Sequence, residues 1–172
     1  GLIARRAEGL SRFMAGYAHL AKLPPPVMQR LSVRALIASV TQLEPRMELK
    51  TNLGPDVFCD GDRAQLEQAL LNLVKNAVDA SLATGGDVSI GWDVSNEIVT
   101  VTIEDTGEGL PPVEQLFVPF FTTKPEGNGI GLALTRQVLE NHGGTVTLTA
   151  RLAMQGAIAT VRLRRSKNGL AT

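Results

Sequence analysis

The chain has 172 residues, with 17 Lys plus Arg against 17 Asp plus Glu and a formal charge of zero. That length suffices for one domain with a sizeable core and a short appendage. The balanced charge excludes a global field that would draw the chain to nucleic acid or an anionic membrane, and aromatics at 4% are too few for a base-stacking surface.

From Ile3, the apolar positions Ile3, Ala7, Leu10, Met14, Tyr17 and Ala21 alternate steps of four and three, which keeps one helical seam facing a partner. The stripe fits either a dimerising helix or an amphipathic helix packed on its own domain. Pro24-Pro25-Pro26 ends it, since proline lacks an amide donor and restricts the residue before it. A linker over 24–32 follows. No run is long enough to span a membrane as a helix, and the start lacks the zones of a signal peptide. Beginning at Gly1 inside a helical pattern, the sequence reads as a piece of a longer protein.

Residues 33–43 read as a helix, 47–53 as a strand and 57–59 as a short strand. The lone Cys59 there reads as a small buried residue, consistent with a reducing compartment. Asp62 with Gln65 three residues on is a capping-box pattern that opens the most strongly patterned helix, to about Leu82. Strands at 87–94 and 97–104 are joined at Ser95-Asn96 as a hairpin. An irregular stretch over 106–128 is long enough to be functional in itself. A helix over 130–142 ends at Gly143-Gly144, strands at 145–152 and 157–163 pair as a hairpin, and the tail from Arg164 reads as solvated. The main body is expected over 33–165, with 166–172 as tail.

On the helix from Asp62, Leu66, Leu70, Leu73, Ala77 and Ala80 line one face for burial, while Gln68, Asn72, Asn76 and Asp79 line another. Three of those four are Asn or Asp, poor helix-interior residues, which points to a ligand as well as to a solvated face. A carbonyl oxygen on a rigid helix, as at Asn76, suits a hard cation such as Mg²⁺ that keeps most of its waters and is shared with phosphates.

Asp105 is followed by Thr106-Gly107-Glu108-Gly109, a plain strand-ending turn or a base-binding one. A carboxylate only accepts hydrogen bonds, so it takes the exocyclic amine of adenine and repels the carbonyl of guanine. Gly107 and Gly109 permit positive φ and close backbone approach to a planar ligand. Gly127, Gly129 and Gly131 lie where the long loop meets the next helix, a hinge and an anion site together. Lys124 is the one cation of that loop, placed to meet a terminal phosphate, and Phe117, Phe120 and Phe121 read as anchors against the body. His19 and His142 read as structural or solvent-facing, with His142 favouring the helix C-terminus when protonated.

Laid out in this order, the residues resemble the catalytic, ATP-binding domain of sensor histidine kinases, within the superfamily that includes gyrase, the ninety-kilodalton chaperones and the mismatch-repair ATPases. Asn72 to Ala80 is similar to that family's N box, Asp105 to Gly109 to its first glycine box, Phe117 to Phe121 to its F box and Gly127 to Gly131 to its second glycine box. The run Phe121-Thr122-Thr123-Lys124 resembles the nitrogen-regulatory subgroup. The resemblance implies an α+β fold, a two-layer sandwich with helices on one face of a mixed sheet and a dimerisation-type helix before it. It implies that ATP and Mg²⁺ are bound, with Asn76 and Lys124 in the chemistry and Asn76 on the metal. It places nucleotide contacts at Asn72, Asn76, Asp79, Asp105, Gly107, Gly109, Thr123, Lys124, Gly127, Gly129, Ile130, Gly131 and Leu132.

Residues 1–23 resemble the second helix of the family's dimerisation hairpin, without the phosphoacceptor histidine. The implied partners are the dimerisation and histidine phosphotransfer domain of the parent protein, a response regulator receiver domain and a second copy in a full-length homodimer. The implied location is cytoplasmic, with the parent possible as a membrane-anchored protein. Hydrolysing relatives carry a Glu one turn before the metal-binding Asn; that position is Asn72 here, and an amide is no general base. ATP should therefore be held for an outside histidine. The alternatives are a nucleotide-sensing module and a hydrolytic ATPase.

Overall fold

The computed structural model describes residues 1–124, 127 and 129–167, apart from the side chains of His19 and Val113. The reading of His19, the Asn128 position and the tail beyond 167 therefore lie outside the described residues. In chain order the elements are α1 (Leu2–Ala21), β1 (Gln29–Ser32), α2 (Val33–Gln42), β2 (Lys50–Asn52), β3 (Phe58–Gly61), α3 (Arg63–Thr84), β4 (Val88–Ser95) and β5 (Ile98–Asp105). A 3-10 turn (Val113–Gln115), α4 (Gly131–Asn141), β6 (Thr145–Ala150) and β7 (Ala157–Arg164) complete them.

The main sheet has strand order β2-β4-β5-β7-β6. β2 runs parallel to β4, and the other neighbours are antiparallel. Period-2 alternation makes it one-sided: along β5, Val99, Val101, Ile103 and Asp105 are buried while the residues between them are not. The buried face meets the helices, where Leu66, Leu70, Leu73, Val74 and Val78 of α3 join Val138 and Leu139 of α4 in one core. This is the expected two-layer α+β sandwich. Asp105 continues the inward register of three aliphatic residues, so the strand itself carries a carboxylate into the layer between sheet and helices.

The capping pattern at Asp62 is half realised. Its carboxylate accepts the Gln65 N–H at 3.1 Å, but the Gln65 amide, instead of returning to the cap, donates to the Pro24 carbonyl at 2.8 Å. The second Asp62 oxygen accepts the Val27 N–H at 2.9 Å. Both bonds tie the proline segment to the start of α3, and backbone amides, that of Val27 first and of Gln65 in α3 next, hold the Asp62 carboxyl below the usual carboxylate range. Gly85 closes α3 in the left-handed conformation, φ 69°.

Several local expectations are corrected. Gln29–Ser32, expected as linker, is strand β1, paired antiparallel with β3; four residues with no clear alternation gave little signal. The strand expected over 47–53 is confined to Lys50–Asn52. The first hairpin turns on Asn96 and Glu97, since Ser95 pairs with Ile98 and Asn96 takes φ 53°. Nor is the end of β7 solvated: Arg165 bridges to Cys59, and Ser166 is buried with its N–H donated to the Phe58 carbonyl at 2.8 Å. Cys59 is buried as expected, and burial, with the nearby Asp60 charge, pushes its thiol up to about 11.

His142 is buried and structural. Its Nε2 accepts the Asp62 N–H at 2.9 Å, so the ring proton lies on Nδ1, which donates to the Val138 carbonyl at 2.7 Å. The ring thus pins the end of α4 to the start of α3, in line with the structural reading of His142.

Candidate nucleotide site

α3 and β5 form two walls of a cavity of about 930 Å³, and described loop residues from Glu108 to Gly129, the start of α4, and Leu148, Ala157 and Ala159 of β6 and β7 complete it. Asp105 stands at its floor, 6% exposed. Its Oδ1 accepts the Gly107 N–H at 2.9 Å and the Ala157 N–H at 3.2 Å. Burial raises the carboxyl above its ordinary value, against the lowering effect of those two amides and of Arg151. A fixed, buried acceptor beside an apolar wall of Ile103, Ala77, Leu116 and Ala159 is an arrangement that suits a planar amine-bearing ring.

The glycines near Asp105 have separate reasons. Gly109 has φ 96°, whereas Gly107 does not need positive φ: a Cβ there would lie 2.6 Å from the Ala80 backbone carbon. Gly107 therefore lets the turn after β5 pass close to α3 and is absent from the cavity lining, which corrects the expectation that both glycines serve positive φ and close approach to a planar ligand. Gly156, expected only in the turn of the closing hairpin over Met154 to Gly156, also sets the site. It has φ 124°, and a Cβ there would lie 1.9 Å from the Asp105 carbonyl oxygen, so only glycine lets the β6–β7 turn close behind the carboxylate.

On α3, Asn72, Asn76 and Asp79 line the cavity. Gln68 serves them from behind, its amide donating to Asn72 Oδ1 at 3.1 Å, while Asn72 Nδ2 reaches the Gly131 carbonyl at 3.4 Å. Lys124 crosses the cavity: its Nζ donates to Asn76 Oδ1 at 3.0 Å and to Asp79 Oδ2 at 2.5 Å. Burial raises the Asp79 carboxyl, but the hydrogen bonds from Lys124 and Arg46 prevail and hold it below its ordinary value. Among the described residues no group of three or more His, Cys, Asp and Glu is placed to hold a metal. A cation on Asn76 would need further oxygens from its ligand's phosphates and water.

Thr123, Gly127 and Gly129 of the loop and Gly131 and Leu132 of α4 also line the cavity, together with Phe121. Ile130, expected at the nucleotide, is buried at the start of α4 and is absent from the lining. Phe117 packs on the core beneath the Arg136 guanidinium, 5.0 Å from the ring centroid. Phe120, expected on the body, stacks instead on Phe13 of α1. The apolar lining of β7, Ala157 and Ala159, was also missed; the signal was there, in two alanines at inward positions of a strand that continues with Val161 and Leu163.

Residues 61–167 match the family described as histidine kinase-, DNA gyrase B- and HSP90-like ATPases. The chain belongs to this ATPase family. Among curated relatives, Sporulation kinase A of Bacillus subtilis (strain 168) is 35% identical over 153 residues, 80% of this chain and 25% of that protein. Sensor histidine kinase ZraS of Escherichia coli O157:H7 is 32% identical over 174 residues, 94% of this chain and 37% of that protein. The chain thus spans well under half the length of the relatives it matches. The solved structure of the mycobacterial sensor histidine kinase MprB superposes with a TM-score of 0.71 at 26% identity, over 81% of this chain and 98% of that one. The fold of this ATPase-family member is that of the ATP-binding catalytic domain of histidine kinases.

Proposed function

We propose that this chain is the catalytic part of a two-component sensor histidine kinase, donating the γ-phosphoryl of ATP to a histidine on a dimerisation domain for relay to a receiver domain. The observation that carries it is Asp105, a buried acceptor fixed by two amides at the floor of a nucleotide-sized cavity, beneath an Asn-lined helix and a loop lysine. The site assignment follows. Asp105 takes the adenine amine, Gly109 admits the ring, Gly107 holds the turn against α3 behind it, and Asn72, Asp79, Thr123, Gly127, Gly129, Gly131 and Leu132 surround the rest. Ile130 supports them from the first turn of α4.

Mg²⁺ fits Asn76 on an observation of this structure: its Oδ1 already accepts a cation, the Lys124 ammonium. When bound, the ion would neutralise charge on the transferring phosphoryl group. Asn76 and Lys124 would position that group, and catalysis would rest on positioning and charge stabilisation. Asn72 supports transfer over hydrolysis. It stands one turn before Asn76, its side chain is an amide, and its hydrogen bonds go to Gln68 and Gly131.

In this reading residues 1–23 are the second helix of a dimerisation hairpin, 24–32 connect it and 33–165 form the catalytic domain. The exposure of its apolar stripe supports that, with Ile3 84% and Leu10 62% exposed. Among the described residues no helix is long and apolar enough to cross a membrane, and a cytoplasmic location for this part belongs to the same reading. The test mixes the chain with a separate chain carrying an acceptor hairpin and labelled ATP. Label on the acceptor histidine is the expected result. Nucleotide uptake without transfer would favour a sensing module, and steady phosphate release without an acceptor a hydrolytic ATPase.

A further inference from the structure

Glu44, just beyond α2, is a buried carboxylate with a side chain 1% exposed. Arg46 answers it at two points, Nε to Oε1 at 2.8 Å and Nη2 to Oε2 at 2.7 Å, and its backbone N–H adds a third bond at 3.1 Å. These hydrogen bonds from Arg46 hold the Glu44 carboxyl below its ordinary value despite burial. A planar guanidinium clamped on a buried carboxylate has its remaining edge aimed in a fixed direction. That edge, Nη1, donates to Asp79 Oδ1 at 2.7 Å, and the other Asp79 oxygen holds Lys124. Charge therefore alternates through Glu44, Arg46, Asp79 and Lys124, from outside the cavity to the amide oxygen of Asn76.

We propose that Arg46 is a positioning residue for Lys124, acting through Asp79; this rests on the reading of the cavity as an ATP site. A partly exposed Asp–Lys pair alone is loosely held, because both side chains lose rotamer freedom in pairing and water competes for each. With one oxygen fixed by Arg46, the Asp79 carboxylate turns its other oxygen to the cavity and sets where the ammonium stands. When phosphates and their counter-ion enter, Lys124 gives up Asn76 Oδ1 and keeps Asp79. It then remains within reach of the phosphates without an open-ended search. The same network makes Lys124 a resident cation on Asn76.

The test is a double-mutant cycle of Arg46→Met and Lys124→Met, read by calorimetry with a non-hydrolysable ATP analogue plus Mg²⁺ and by amide exchange of residues 121–124 without nucleotide. Arg46→Met is expected to weaken analogue binding about tenfold and to speed loop exchange, with little further effect once Lys124 is Met. An equal loss in both backgrounds, which a merely structural role would give, overturns the proposal, as does no loss in either. Because Arg46→Met strands a buried carboxylate, Glu44→Met/Arg46→Met removes both charges and must show the same dependence on Lys124. Wild-type protein that takes up no analogue would sink the ATP reading alone, and the exchange arm would still decide the positioning role.

Discussion

Phe120 of the cavity loop lies on Phe13 of α1, ring centroids 4.1 Å apart and planes 29° from parallel. The stack offsets a local cost, since Phe120 has φ 69°, a left-handed conformation that disfavours a residue with a Cβ by about 1–2 kcal/mol. Its N–H is donated to the Gly129 carbonyl at 2.9 Å, and Tyr17 flanks the pair at 6.5 Å. The N-terminal helix and the loop over the cavity are therefore physically joined.

Phe13→Ala removes an aromatic contact of about 0.5–1.5 kcal/mol beyond simple burial. The Phe120 amide should exchange roughly three- to tenfold faster, while core amides of α3 keep their protection. Equal protection in the variant would show that the stack does not hold the loop.

Asp105→Asn should separate stability from binding. Burial raises the Asp105 carboxyl in the folded protein, so folding favours its protonated form. That contribution is present below the unfolded value and is lost as pH rises through the folded one. At neutral pH the ionised group is a net cost. An Asn Oδ1 can still accept the Gly107 and Ala157 amides, so the variant should melt higher than wild type at pH 7 without nucleotide. The gain should shrink as pH falls into the carboxylate range. A lower melting point at pH 7 would contradict it.

His142→Ala leaves the Asp62 N–H without its acceptor and opens space between α3 and α4. The expected loss is about 2–3 kcal/mol in urea unfolding at an unchanged slope. A loss below about 0.5 kcal/mol, the range of ordinary surface changes, would remove the pin from the account.

Gly156→Ala should disturb the site from behind. A methyl group there meets the Asp105 carbonyl at 1.9 Å and a backbone, unlike a side-chain end, cannot swing aside. The hairpin must shift, and Ala157 N–H with it, so both melting point and ATP affinity should fall. Affinity equal to that of wild type would show that the turn does not set the carboxylate.

Much of the site was legible because its residues break local rules: Asn72, Asn76 and Asp79 interrupt a helix that Ala or Glu would propagate better, and Asp105 ends a strand of alternating aliphatics. Residues that obey those rules stayed silent. Ala157 and Ala159 are ordinary strand residues, and their small size means something only once β7 is seen beside β5. Arg46 lies 33 positions before Asp79, and nothing in its neighbours signals a partner on another element. Phe120 was read as an anchor on the body because its true partner is in α1, beyond the proline segment. The fold was legible where periodicity was sustained, and β1 was missed because Gln29 to Ser32 carries no clear alternation.

The central claim is that the Asp105 acceptor seats adenine. Calorimetry of the chain with ATP and with GTP, each with Mg²⁺, tests it most directly. Saturable ATP binding with GTP weaker by roughly tenfold or more, and loss of that preference in Asp105→Asn, is the expected result. Equal affinity for the two nucleotides, or no uptake of ATP at all, would contradict it.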